Sequence, residues 1–193
     1  MTPLDDVYNA YNWLLQSGYR PEKIASVGNS VGGNFAVSLA LRLRDEGAAL
    51  PGAIVSISPW VDLTLTDETI TSNADRDKIL SRPLLELFRS AWLDGTGVGW
   101  QDPRVSLLAA DLSGLPPIAV FYGTDELLAG EAAELGRRAQ AAGNDVLVRA
   151  VEGGQHSFIV AAGRVPEVDE AIAEIGGWLR SKLGLAVLQD TAK

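Results

Sequence analysis

Three side chains in this sequence have the types, and the order, that nucleophilic catalysis demands. Ser30 stands in "IASVGNSVGGNFAV", residues 24–37, where an apolar strand-like run gives way to an apolar helix-like one. The pattern G-x-S-x-G at such a junction is a tight elbow that exposes a serine hydroxyl and turns the first amides of the next helix toward it. Side chains at Gly28 or Gly32 are expected to collide with neighbouring backbone there. A serine hydroxyl is a weak nucleophile without a base. The sequence holds a single histidine, His156 in "EGGQHSF", within a glycine-rich loop that follows an apolar run. An imidazole base in turn needs an acid to fix its tautomer and stabilise the imidazolium. Asp125 in "FYGTDELL" leaves the end of another apolar run and is the candidate. The Val31 N–H, next after the nucleophile, is placed to donate to a developing oxyanion. Each residue also has a plain structural use: a glycine-rich turn, an ordinary histidine, and for Asp125 the N-cap of a helix beginning near Leu128.

These groups need a frame, and the hydrophobic pattern supplies one. Strand-length apolar runs fall at Ile24–Val27, 52–59, 117–123 and 145–151. Helix-like spacing falls at Asp5–Gln16, Val31 to about Asp45, Leu128–Ala142 and Val165–Leu183. Strands alternating with helices, each strand apolar on both faces, predict an α/β fold with a mainly parallel sheet covered on both sides. Ser30, Asp125 and His156 each follow a strand, at the carboxyl edge where such sheets build their sites. Their order along the chain is that of the α/β-hydrolase triad. Residues 60–116 form the exception, too long and irregular for one crossover, and are expected to be a cap-like insertion with a helix at 83–93. The expected organisation is one domain over 1–193 with that insertion inside it. Glu131, Glu134 and Arg137 are spaced as a solvated helix face.

Composition narrows the classes. A net charge of −9 and no basic stripe argue against a nucleic-acid partner. With no cysteine and one histidine, no metal-ligand cluster is encoded beyond carboxylates. "GNSVGG" lacks the lysine of a phosphate-binding loop. No apolar run reaches the roughly 20 residues of a membrane helix, and the expected location is cytoplasmic. Trp60, Phe88 and Trp92 are the candidate apolar walls of a substrate cleft, with ordinary packing as the other reading.

The blocks "PEKIASVGNSVGGNFAVSLALRLRDEG", "SPWVDLT", "LPPIAVFYGTDELL" and "GGQHSF" together resemble the bacterial hormone-sensitive-lipase family of esterases, in order and rough spacing. The likeness extends over residues 3–183. It implies an α/β-hydrolase fold and a serine hydrolase of the carboxylesterase and lipase kind, without cofactor. Ser30 would be the nucleophile, His156 the general acid/base and Asp125 the orienting acid, acting on a small ester with a short or medium acyl chain. Lactone or amide hydrolysis would use the same parts. The family's usual GDSAGG reads GNSVGG here, with Asn29 and Val31 at the altered positions. Its upstream HGGG loop, source of further oxyanion donors, has no counterpart in the sequence. The chain is therefore expected to be N-terminally incomplete relative to the family, and catalytically impaired to that extent. The open side of the Ile24–Val27 strand should lie exposed, and a homodimer through that edge or the 145–151 edge is expected.

Overall fold

The computed structural model describes residues 3–186; the outermost residues of the expected 1–193 domain lie outside that range. Four strands form one sheet: β1 (Ala25–Asn29), β2 (Ala53–Ile57), β3 (Ile118–Gly123) and β4 (Val146–Val151). All pairings are parallel and the spatial order is β1-β2-β3-β4. Every strand therefore points its carboxyl end toward the same rim of the sheet.

Alternation along the strands divides the core in two. Ile54, Ile118 and Val120 face α2 (Val31–Asp45) and α5 (Ala129–Ala141), where Val37, Ala40, Ala132 and Leu135 are fully buried. Val55, Ala119 and Phe121 face the other way, against Val168, Ala171 and Ile175 of α6 (Pro166–Lys182). Helix α1 (Pro3–Gln16) lies outside α2, with Tyr11 packed on Leu39 and Leu43. Left-handed glycines stop the helices where the sequence places them: Gly18 after α1, Gly47 after α2 and Gly143 after α5.

The 60–116 segment carries α3 (Thr69–Ser72), α4 (Arg82–Leu93) and a short 3₁₀ turn at Leu107–Ala109. It has an apolar centre of its own. Trp60, Leu63, Leu65, Ile70, Leu80, Leu85 and Leu93 bury together with Leu127 and Leu128 from the end of the β3–α5 connection. The segment is thus seated on the carboxyl rim, beside the residues that leave β1 and β3.

Only β2 pairs with β1 among the described residues, so β1 is an edge. Val27 at its centre is 53% exposed. β4 is the opposite edge, with Val148 partly exposed. No helix among the described residues is long and apolar enough to cross a membrane.

Candidate active site

The elbow at Ser30 is built as its sequence suggests, with one change of detail. β1 ends at Asn29, Ser30 adopts φ 58° and α2 begins at Val31. Positive φ is costly for a residue with a Cβ, and here the surroundings hold it. The Ser30 N–H donates to Ile57 O at 2.9 Å, while Ser30 O accepts from Gly33 and Trp60 N–H. A Cβ on Gly28 would lie 1.9 Å from Gly32 O, so the first glycine is obligatory. At Gly32 a Cβ would meet nothing within 4 Å, contrary to the expected collision. The second close approach belongs to Gly33 instead, whose Cβ would press on Ser56 Oγ at 2.9 Å and Pro59 at 3.0 Å. The helix shifts the crowding by one residue because Gly33, not Gly32, faces the β2 end.

His156 arrives from the loop after β4 and is 6% exposed. Its Nε2 lies 2.9 Å from Ser30 Oγ, across 126 residues of sequence. Its Nδ1 lies 3.3 Å from Glu126 Oε2. With the ring proton on Nδ1, that nitrogen donates to Glu126 and Nε2 is left to accept from the Ser30 hydroxyl. This tautomer is the one a base needs.

The acid beside the histidine is therefore Glu126, not the expected Asp125. β3 ends at Gly123, and the chain is held to the His156 loop by Thr124 N–H to Val151 O and Asp125 N–H to Gly154 O. In this turn consecutive side chains diverge. Asp125 points outward, with its carboxylate 3.5 Å from the half-exposed Arg76. Glu126 points inward and is fully buried, its longer stem reaching the imidazole. The signal was present in the sequence as two adjacent acids, "DE", after the third strand, but adjacency alone does not tell which faces in.

Burial pushes the Glu126 carboxyl above its ordinary pKa, opposed by the hydrogen bond and charge of His156, then by the Ser58 hydroxyl and the Gly123 backbone. Its Oε1 is buried with no hydrogen-bond partner. Tyr122 next to it is raised by burial and by the Glu126 charge.

The elbow and the histidine loop are tied directly. Asn29 Nδ2 donates to Ser157 Oγ at 2.7 Å, and the Ser157 N–H donates to Ser58 Oγ at 3.1 Å. Ser58, directly after β2, has φ 42° and Ser157 has φ 58°. Three of the four non-glycine residues with positive φ among those described, Ser30, Ser58 and Ser157, thus surround one site. Backbone strain of this kind costs about 1–3 kcal/mol per residue and is concentrated here at the Ser30–His156 contact.

The candidate cleft residues separate. Trp60 is 3% exposed, built into the core under the elbow. Trp92 on α4 meets Phe35 edge-on at 5.4 Å and Trp60 at 6.3 Å, in partly buried contact with the cluster that includes Val31. Phe88, four residues earlier on α4, is half exposed. Glu131 departs most from expectation. Rather than lying on a solvated face, it is fully buried in the first turn of α5, accepting from Val61 N–H at 2.6 Å and Asp62 N–H at 3.2 Å.

Comparison with known proteins agrees with the fold. A family model described as alpha/beta hydrolase fold matches residues 1–160. An esterase of Acinetobacter venetianus is 34% identical over 179 residues, covering 92% of this chain and 58% of its own length. An acetyl-hydrolase of Streptomyces hygroscopicus is 33% identical over 184 residues, covering 94% of this chain and 60% of its own. A crystal structure of an esterase from the bacterial hormone-sensitive lipase family superposes with TM-score 0.90 at 39% identity, over 94% of this chain and 61% of that one. The chain belongs to the alpha/beta hydrolase family, and within it to the hormone-sensitive-lipase family that its motifs resemble. It spans about three fifths of the length of these relatives.

Proposed function

We propose that this chain carries the reacting serine, base and acid of a carboxylic ester hydrolase. The supporting observation is the continuous contact from Ser30 Oγ through His156 to Glu126, at 2.9 Å and 3.3 Å. As Ser30 Oγ attacks the ester carbonyl, its proton passes to His156 Nε2 and an oxyanion forms. His156 then delivers that proton to the departing alkoxide oxygen as the carbon–oxygen bond breaks, leaving an acyl-serine and an alcohol. Water repeats the sequence, its proton going to Nε2 and then to Ser30 Oγ as the acid leaves. Glu126 holds the ring and stabilises the imidazolium in both halves. The Val31 N–H, first in α2 and without a partner inside the helix, is the oxyanion donor. Trp92 and Phe88 stand as the apolar side of an acyl site above the elbow, over the Trp60 floor.

A second reading, a chain impaired by itself, is favoured by a specific feature. One amide is the whole oxyanion provision of the elbow, and β1 beside it presents an unpaired edge. Losing one oxyanion donor costs about 10²–10³ in rate, so slow turnover is expected together with an activated serine. Association through the β1 or β4 edge belongs to the same reading, and sedimentation velocity would show it as a dimer.

A fluorophosphonate probe tests the assignment, because it needs an activated serine and little substrate pocket. Labelling of the wild-type chain that disappears in Ser30→Ala is expected. Equal labelling of the two proteins would remove Ser30 as nucleophile.

A further inference from the structure

The residue directly after β2 stands between the base loop and the acid turn. Ser58 is fully buried, and it holds a left-handed backbone that glycine would adopt more easily. Something other than backbone preference accounts for a serine there. Its Oγ accepts from the Ser157 N–H at 3.1 Å, directly after His156 in the chain. Its N–H donates to Phe121 O at 2.7 Å, fixing it to the end of β3 just before Glu126. So the hydroxyl sits where the base loop and the acid turn meet.

A hydroxyl has one proton to give, and accepting from Ser157 leaves that proton uncommitted. Glu126 Oε1, in the same buried space, is an oxygen with no hydrogen-bond partner. A buried carboxylate oxygen without a donor is costly, and ionisation of Glu126 depends on relieving that cost. We propose that Ser58 is a positioning residue of this site: its hydroxyl spans from the Ser157 amide to the Glu126 carboxylate, holding the acid ionised and the histidine loop in register. The hydroxyl's downward pull on the Glu126 carboxyl is consistent with this. Rotation of one O–H completes the link, with no movement of the chain.

The other ionisable groups around Glu126 do not offer that proton. His156 Nδ1 is already engaged with Oε2. Tyr122 of β3 keeps its O–H, but its ring packs on the α2–α5 side of the sheet, and the charge of Glu126 rather than a hydrogen bond acts on it. Asp125 faces Arg76 on the outer side. Asp77, from the segment packed above, spends its oxygens on the amides of Ile79, Leu80 and Leu127.

The inference rests on reading Ser30, His156 and Glu126 as the reacting and orienting groups, but its test does not need turnover. His156 is the single histidine in the sequence, so its ring resonances in the untagged chain are unambiguous. A pH titration of those resonances reports ionisation of the neighbouring carboxyl as a separate inflection, identified by its loss in Glu126→Gln. In Ser58→Ala that inflection is expected about one pKa unit higher, a tenfold change in the acid constant. Ser58→Gly removes the same hydroxyl while suiting the positive φ, and should give the same shift if the alanine variant folds poorly. A folded Ser58→Gly or Ser58→Ala with the inflection unmoved would overturn the proposal, reducing Ser58 to a loop anchor. Fluorophosphonate labelling of the same samples separates the two levels. An upward shift with no labelling of wild type would support the Ser58 link and count against the hydrolase reading.

Discussion

Glu126 and Glu131 are five residues apart, both fully buried, and both held above the ordinary carboxyl pKa first of all by burial. Their partners differ. Each keeps one oxygen without a hydrogen bond, but Glu126 faces the imidazole of His156. Glu131 faces two backbone amides, Val61 and Asp62, which never change charge. It holds the turn that follows Trp60 against the first turn of α5. Burial and a raised pKa therefore do not by themselves identify a catalytic acid. What sets Glu126 apart is its contact with the imidazole that also meets Ser30, and the three positive-φ serines gathered at that site.

The largest test of this contrast acts on the acid. Glu126→Gln keeps size and burial but cannot stabilise an imidazolium, and a comparable change in a serine triad lowers rate about 10⁴-fold. Fluorophosphonate labelling should slow by about 10²–10⁴, whereas Asp125→Asn should stay within about threefold of wild type. Pseudo-first-order labelling rates decide it. The reverse ranking would return the acid's role to Asp125.

That pair shows where the sequence was readable. The parallel sheet, the four strands and the flanking helices followed from apolar runs of the right lengths, because burial on both faces leaves little choice of residue. Ser30 and His156 were legible for a different reason: the elbow needs Gly28, and the histidine had no competitor. The acid was not legible. Choosing between Asp125 and Glu126 depends on the direction of two side chains in a turn fixed by Gly154, about 30 residues further along. Glu131 misled in the same way, since its helical spacing with Glu134 and Arg137 suggests solvent. The 60–62 turn that covers it is distant in sequence, and spacing within α5 carries no information about it.

Glu131 gives the next effect in size. Glu131→Leu would strand the Val61 and Asp62 amides in the interior at about 1–3 kcal/mol each. Glu131→Gln keeps an acceptor for both and removes the ionisation. An unfolded carboxyl ionises near 4.5, while the folded one, raised by burial, stays protonated to higher pH. Above pH 4.5 the unfolded chain thus releases a proton that the folded chain retains, and stability falls as pH rises until the folded carboxyl ionises as well. Removing that penalty should make Glu131→Gln gain on wild type by a few degrees in Tm between pH 4 and pH 7, with Glu131→Leu less stable than wild type throughout. Thermal denaturation at the two pH values measures both. A constant difference between Glu131→Gln and wild type would mean that Glu131 is ionised in the fold.

The smallest effect belongs to the next acid on the same helix, and its sign is opposite. Glu134 lies one turn beyond Glu131, on the outer side of α5, hydrogen-bonded to Arg137 and Arg138. Those bonds lower its pKa to about 2. Its folded pKa lies below the unfolded one, so its contribution is present above about 4.5 and is lost as pH falls toward 2. Both arginines are largely in water, 66% and 46% exposed. Screening and the entropy of ordering long side chains therefore hold the contribution to about 0.5 kcal/mol or less, and salt reduces it further. Glu134→Gln should lower Tm by no more than about 2 °C at pH 7, and by less in 0.5 M salt. A loss of several degrees that survives the salt would show that these charges anchor α5 as firmly as the buried Glu131 does, and would erase the distinction between the inner and outer faces of that helix.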